Sequence, residues 1–201
     1  MRLRVLKIGG SWLGRTSMLT DLQRWFDQAD QASITVMLVG GGKLIEAIRI
    51  WDRLRPADSA MVHWRCVDLL SVSFAHVQDS MQQDQAFQDV DYLATTADTQ
   101  QFQDLLRTDE SPRPSKQRYL LNVPAAYHQG VASVLPADWS TTTDSIAWHL
   151  ADHWQADECV LLKSCQIDPT QTLDDWIRQG IIDDACGQLR DSSVPLRVLN
   201  A

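Results

Sequence analysis

ITVMLVGGGK, residues 34–43, is the stretch that decides the fold. Ile34 to Val39 is a run rich in branched residues and apolar but for Thr35, the pattern of a strand buried on both faces. It breaks at Gly40-Gly41-Gly42, where a tight turn leaves the sheet. Beyond the turn, Leu44, Ala47, Ile48, Trp51 and Leu54 recur at three- and four-residue spacing, which predicts a helix. Strand, glycine turn and helix follow one another without a spacer.

The same unit stands upstream. LRVLKI, residues 3–8, runs into Gly9-Gly10, and from Ser17 the apolar positions Leu19, Leu22, Trp25, Phe26 and Ala29 keep helical spacing. Consecutive strand–helix units with turns this short predict parallel strands, because a parallel crossover needs a connection of helical length. The expected fold class is α/β: a single-domain, three-layer, open, mostly parallel sheet with helices on both faces.

Further along, Ala60 to Val77 predicts a third helix, with a less regular stripe of Met61, Trp64, Val67, Leu70, Phe74 and Val77. Residues 79–116 are rich in Gln and Asp and contain Ser111-Pro112-Arg113-Pro114; they read as a loop-rich surface excursion rather than a linker. Residues 1–201 are therefore expected to form one domain. Tyr119 to Val123 predicts a strand, and Thr141-Thr142-Thr143-Asp144 opens a helix carrying Ile146, Ala147, Leu150, Ala151 and Trp154. Cys159 to Lys163 is the clearest late strand, Leu173 to Arg178 a short helix and Leu196 to Leu199 a closing strand.

At 201 residues and 44% hydrophobic, the chain can bury one sizeable core. Its net charge of −8 argues against a nucleic-acid groove or a polybasic membrane surface. No apolar run approaches the length of a membrane span, and Arg2, Arg4 and Lys7 interrupt Leu3, Val5 and Leu6, so a cytoplasmic protein is expected. The four cysteines, Cys66, Cys159, Cys165 and Cys186, form no CxxC pair and are expected to be free thiols.

Four constellations could carry chemistry. In Lys7-Ile8-Gly9-Gly10-Ser11, a lysine at the end of a strand precedes a turn whose amides can face phosphate oxygens. Val39-Gly40-Gly41-Gly42-Lys43 again puts amides at a helix N-terminus, which stabilises negative charge. Neighbouring parallel strands would bring both turns to the carboxyl edge, where open α/β sheets bind ligands. Neither turn matches GxGxxG or GxxxxGK[ST]. Thr141 to Ala147 places hydroxyls and the Asp144 carboxylate at a helix start, which by itself reads first as a cap. Lys163 mirrors Lys7 at the end of a late strand. His149 and His153, four apart, read as a solvated helix face rather than a metal pair, and Trp25, Trp51 and Trp154 as core or interface packing.

In this order, VLKIGGS (5–11), VMLVGGGKLIEAIR (36–49), TTTDSIAWHLA (141–151) and ECVLLKS (158–164) resemble the amino acid kinase superfamily, whose members include acetylglutamate, aspartate and uridylate kinases. The likeness leaves about 79–133 uncovered. The short length, His63-Trp64, the D-S-I-A form of the late motif and Gly180-Ile181-Ile182-Asp183 look most like the small kinases of methanofuran biosynthesis. Those convert an aminomethylfuran phosphate to its diphosphate in one-carbon metabolism.

The resemblance implies an ATP- and Mg2+-dependent kinase acting on a phosphate or carboxylate acceptor. Lys7 would contact the transferred phosphoryl group, and Gly9, Gly10, Ser11 and Lys163 the nucleotide phosphates. Gly40, Gly41, Gly42, His63 and Thr143 would line the acceptor side, with Asp144 organising the lysines or the magnesium shell. A homodimer is expected. Many larger members carry a late Gly-Met-x-x-Lys, whereas the comparable stretch here is Gly180-Ile181-Ile182-Asp183-Asp184. The alternative expectation is therefore a non-catalytic ligand-binding or regulatory module on the same fold.

Overall fold

In the computed structural model, which describes residues 2–29, 32, 34–107 and 117–200, β1 (Leu3–Ile8) and β2 (Ile34–Val39) pair in parallel from Leu3 beside Ile34 to Ile8 beside Val39. Every residue of both strands is buried, which is why they are written without polar alternation. With β3 (Val90–Leu93), β4 (Gln117–Leu121), β5 (Glu158–Lys163) and β6 (Leu196–Asn200) they form a six-stranded sheet in the order β3-β4-β2-β1-β5-β6. All of its pairings are parallel.

Helices cover both faces. α1 (Met18–Gln28) packs Met18 and Leu22 against Leu6, Ile8, Met37 and Val39. On the other face α6 (Thr143–His153) packs Ile146, Ala147, Leu150 and Ala151 against Leu3, Val5, Val36 and Leu38. Successive strand residues point to opposite faces. Lys7, two residues beyond Val5, thus falls on the α6 side.

α3 (Ser59–Gln82) starts at Asp58, whose carboxylate accepts the Met61 amide at 2.8 Å. Its Val67 and Leu70 belong to the α6-side core, whereas Phe74, Val77 and Met81 belong to the α1-side core. A helix that passes from one face of the sheet to the other cannot keep one stripe, which accounts for the irregular apolar spacing.

The expectation of a loop-rich excursion at 79–116 does not hold for its first three-quarters. α3 continues to Gln82, a 3-10 turn covers Gln85–Phe87, and β3 is followed by α4 (Thr96–Arg107). These elements hide from a periodicity reading because β3 has only four residues and α4 buries only Thr99 and Phe102. Residues 108–116, including Ser111 to Pro114, lie outside the described residues. The strand expected at Tyr119 to Val123 is β4, displaced two residues toward the N-terminus, because Val123 opens the short helix α5 (Val123–Ala126).

At the amino edge of the sheet, Arg4 sits beside Glu158 in register and lies 2.5 Å from its carboxylate. Arg2 and Arg197 each reach the same carboxylate at 3.1 Å. Burial opposes the charge on Glu158, but hydrogen bonds from Arg4 and Arg197 prevail and hold its carboxyl below the usual range.

Candidate active site

β1 lies between β2 and β5, so the turns leaving these strands crowd the carboxyl edge of the sheet. Lys7 pairs in register with Leu161, so Lys163 comes two residues later on the same face. The N-terminus of α6 descends between them. Asp144, 4% exposed, puts Oδ1 2.7 Å from Lys7 Nζ and accepts from Lys163 Nζ at Oδ2. Burial disfavours its charge, yet the two ammonium groups outweigh burial and hold the carboxyl below the usual range. Lys163 is pushed down, by burial first and by the Lys7 charge second, with Asp144 opposing.

A second carboxylate holds α6 in place. Asp183 Oδ2 accepts the Thr142 amide at 2.8 Å, the Thr142 hydroxyl at 2.7 Å and the Ser145 amide at 3.1 Å. Its Oδ1 takes the Cys186 amide at 3.2 Å. These donors flank Asp144 in the chain, so Asp183 sets the helix end from which Asp144 projects. Burial, and then the nearby Asp144 charge, raise the Asp183 carboxyl. The sequence marked Asp183 as the end of Gly180-Ile181-Ile182-Asp183, the segment without the late lysine, and not as the partner of a helix end.

The glycine turns serve each other before they serve a ligand. A Cβ on Gly10 would lie 2.3 Å from the Gly42 nitrogen, and one on Gly40 2.9 Å from the Gly10 nitrogen. Gly42 has φ +54°, a left-handed conformation that favours glycine. Gly9 donates its amide to the Leu162 carbonyl at 3.1 Å and Gly40 to the Ile8 carbonyl at 3.0 Å, so neither offers it to phosphate. The amides of Gly10, Ser11, Gly41 and Gly42 have no backbone acceptor among the described residues and remain open at two helix starts.

A cavity of about 260 Å3 opens beside these turns. Lys7, Gly10, Ser11, Gly40, Gly41, Gly42, His63 and Thr143 line it, whereas Gly9, Asp144 and Lys163 stand outside its wall. Ile45, Val67, Leu70 and Ile146 make the apolar side. The wall also contains residues that sequence reading missed: Glu46, Arg49, Cys66, Asp138 and Trp139. Arg49 pairs with Glu46 at 3.1 Å and lies 4.9 Å from the Trp139 ring centroid, while the Trp139 indole donates to Asp52 at 2.7 Å. Helical phase from Gly42 could have signalled Glu46 and Arg49; nothing near Trp139 in the sequence signals it.

His63 is buried, with Nδ1 3.3 Å from the Asp138 carbonyl and Nε2 3.3 Å from the Tyr127 hydroxyl. A carbonyl only accepts, so Nδ1 carries the proton and Nε2 accepts from Tyr127. Burial lowers the pKa of this imidazole. His63 therefore pins the Asp138 loop to α3 and presents no free nitrogen to the cavity. His153 is exposed as expected, but His149 is half-buried with its ring 6.1 Å from that of Tyr127.

All four cysteines are free, and Cys159 and Cys186 are buried, with burial raising both thiols. Among the described residues, no cluster of three His, Cys, Asp or Glu is arranged to hold a metal ion, and no helix is long and apolar enough to cross a membrane.

No family model matches the chain, and no curated protein matches it. Solved structures do. A uridylate kinase from Archaeoglobus fulgidus matches with TM-score 0.59 and 15% identity, over 100% of this chain and 91% of that one. A UMP kinase from Ureaplasma parvum matches with TM-score 0.61 and 12% identity, over 99% and 89%. An aspartate kinase from Synechocystis matches with TM-score 0.58 and 18% identity, over 98% of this chain and 38% of that one. With its all-parallel sheet and flanking helices, the chain has the amino acid kinase fold.

Proposed function

We propose that this chain is an ATP-dependent small-molecule kinase of the cytoplasm that transfers the γ-phosphoryl group to a phosphate or carboxylate acceptor. The observation that carries the reading is Asp144 held between Lys7 and Lys163 at two strand ends, beside glycine turns with open amides. Phosphoryl transfer needs in-line positioning and compensation of spread negative charge rather than a covalent nucleophile. The amides of Gly10 and Ser11, with Lys7 and Lys163, fit a nucleotide's phosphates. Asp144 gives each of the two ammonium groups its own carboxylate oxygen. Mg2+ would supply further charge compensation when bound with the nucleotide. Each oxygen of Asp144 is ion-paired with a lysine and each oxygen of Asp183 accepts from the protein, so neither carboxylate is free to hold it.

The cavity also bears on the acceptor class. A hydroxyl acceptor needs a base to take its proton. Glu46 is paired with Arg49 and Arg53, Asp138 accepts from Ser140, His63 has both nitrogens engaged, and burial raises the Cys66 thiol. An acceptor that arrives as an anion needs no base: its oxygen attacks the γ-phosphorus, the bridging P–O bond breaks, and ADP leaves with the bridging oxygen. The short apolar wall of Ile45, Val67, Leu70 and Ile146 suits a compact ring. An aminomethylfuran phosphate, as in methanofuran and one-carbon cofactor synthesis, is the favoured acceptor, with an amino acid or other carboxylate second.

The rival reading is a non-catalytic ligand-binding or regulatory module, favoured by an acid, Asp183, in the segment that lacks the late lysine. ADP release from ATP and Mg2+ is measured with aminomethylfuran phosphate, amino acids and phosphomonoesters. Turnover with the furan supports the reading in full. Turnover with another anionic acceptor keeps the kinase and discards the furan. Measurable ATP binding with no turnover across the panel sinks the kinase and leaves the module.

A further inference from the structure

α2 (Gly42–Leu54) starts at the second glycine turn and runs along one side of the cavity, lining it with Gly42, Ile45, Glu46 and Arg49. At 1.5 Å per residue, Arg49 stands about 10 Å along the helix axis from Gly42. There the wall passes to Trp139, whose ring centroid lies 4.9 Å from the Arg49 guanidinium. Asp52, almost one turn further along α2, accepts the Trp139 indole N–H at 2.7 Å and lines a separate groove on the outer side of the helix, with Ile48, Trp51 and Leu54. The indole therefore reaches from the loop that precedes α6 across to α2, and closes the end of the cavity farthest from the glycine turns.

This side chain is held from both ends. On the loop, the Asp138 carbonyl faces His63 Nδ1 at 3.3 Å, the Asp138 carboxylate accepts the Ser140 amide at 2.8 Å, and the Thr141 hydroxyl donates to the Pro136 carbonyl at 2.6 Å. On α2, Asp52 also takes the Ala57 amide at 3.0 Å. The Trp139 bond foremost, and then the Ala57 bond, lower the Asp52 carboxyl, so the indole donates to a charged acceptor. A wall fixed in this way has its shape before a ligand arrives, which is what selection by size requires.

We propose, on the reading of this cavity as an acceptor site, that Trp139 determines the length of acceptor the protein takes. With the anionic end at Lys7 and the open amides of Gly41 and Gly42, the indole leaves room for one compact apolar body and stops a longer one. Asp52 acts through Trp139 and is a positioning residue.

Alkyl phosphates from methyl to octyl, offered to the full chain, provide the test, with calorimetry reading binding and ADP release from ATP and Mg2+ reading turnover. In wild type the affinity is expected to rise about fourfold with each methylene buried against Ile45, Val67 and Leu70, to pass a maximum, and to fall once the chain meets the indole. Trp139→Ala should move the maximum to longer chains and bind octyl phosphate about tenfold or more tighter than wild type does, the gain from two further buried methylenes. Asp52→Ala, a change on the outer side of α2, should move the maximum in the same direction with unchanged circular dichroism. Asp52→Asn keeps an acceptor for the indole and should keep the wild-type maximum. A maximum that stays in place in Trp139→Ala and Asp52→Ala overturns the proposal, as does a wild type whose affinity goes on rising to octyl phosphate or that binds none of the series. A maximum that moves as expected, with no ADP released anywhere in the series, upholds the role of Trp139 and counts against the kinase instead.

Discussion

Lys7 Nζ lies 2.7 Å from Asp144 Oδ1, a contact between the end of the first strand and the start of a helix 137 residues later in the chain. Both side chains are buried, 7% and 6% exposed, so neither charge has water to fall back on.

Lys7→Ala is expected to lower phosphotransfer by about a hundredfold or more, the usual effect of removing one donor to a transition-state oxygen, with unchanged circular dichroism because Asp144 keeps Lys163. Asp144→Ala is expected to cost stability as well. It leaves two ammonium groups without their shared carboxylate, and breaking a buried pair typically costs about 3–5 kcal/mol. Urea melts alongside ADP release separate the two effects. Phosphotransfer that survives Lys7→Ala would remove Lys7 from the proposed chemistry.

Asp183→Ala removes the acceptor for the Thr142 and Ser145 amides and should destabilise by about 0.5–2 kcal/mol, the cost of a lost cap. Because the helix end it anchors carries Asp144, kcat should fall more than the acceptor KM rises. Asp183→Asn keeps a carbonyl acceptor and should recover most of the stability. An unchanged kcat in the alanine variant would limit Asp183 to capping.

Gly42→Ala forces an L side chain into φ +54°, costing about 1–2 kcal/mol, and sets its Cβ 2.5 Å from the Gly10 carbonyl oxygen. Gly10→Ala sets its Cβ 2.3 Å from the Gly42 nitrogen, so either change pushes the two turns apart. Thermal melts should place both variants below wild type. A variant that melts with wild type would show that the turns can separate cheaply.

His63 and His149 both have pKa values lowered from the ordinary imidazole value of about 6.5, chiefly by burial. The native state then binds fewer protons than the unfolded chain below about pH 6.5. Their contribution to stability is complete above that pH and is lost as pH falls toward the folded pKa values. The urea midpoint should therefore drop between pH 7.5 and 5.5. A His63→Gln, His149→Gln double variant should drop less; an equal drop would assign the acid sensitivity elsewhere.

Much of the central sheet was legible because it is local. Strands buried on both faces are apolar at most positions, and glycine turns between them and the helices are short, so residues 3–54 could be read as two strand–turn–helix units without knowing their neighbours. β3 and α4 were not legible, because their few buried residues, Val90, Leu93, Thr99 and Phe102, make no period. The split allegiance of α3 to two cores blurred its stripe for the same reason.

The residue types of the site, Lys7, the two glycine turns, Asp144 and Lys163, stood in the sequence by themselves, since strand ends and helix starts mark where a parallel sheet gathers its turns. Only the tertiary structure decided that Asp144 meets both lysines, that Asp183 holds the helix end beside it, and that Gly9 and Gly40 give their amides to the sheet. It also brought Arg49 and Trp139 to one wall and turned Trp51 outward. Strand and helix depend on interactions between residues a few positions apart, which a sequence displays directly. The site depends on strand order and register, set by packing between segments more than a hundred residues apart, which no local pattern encodes.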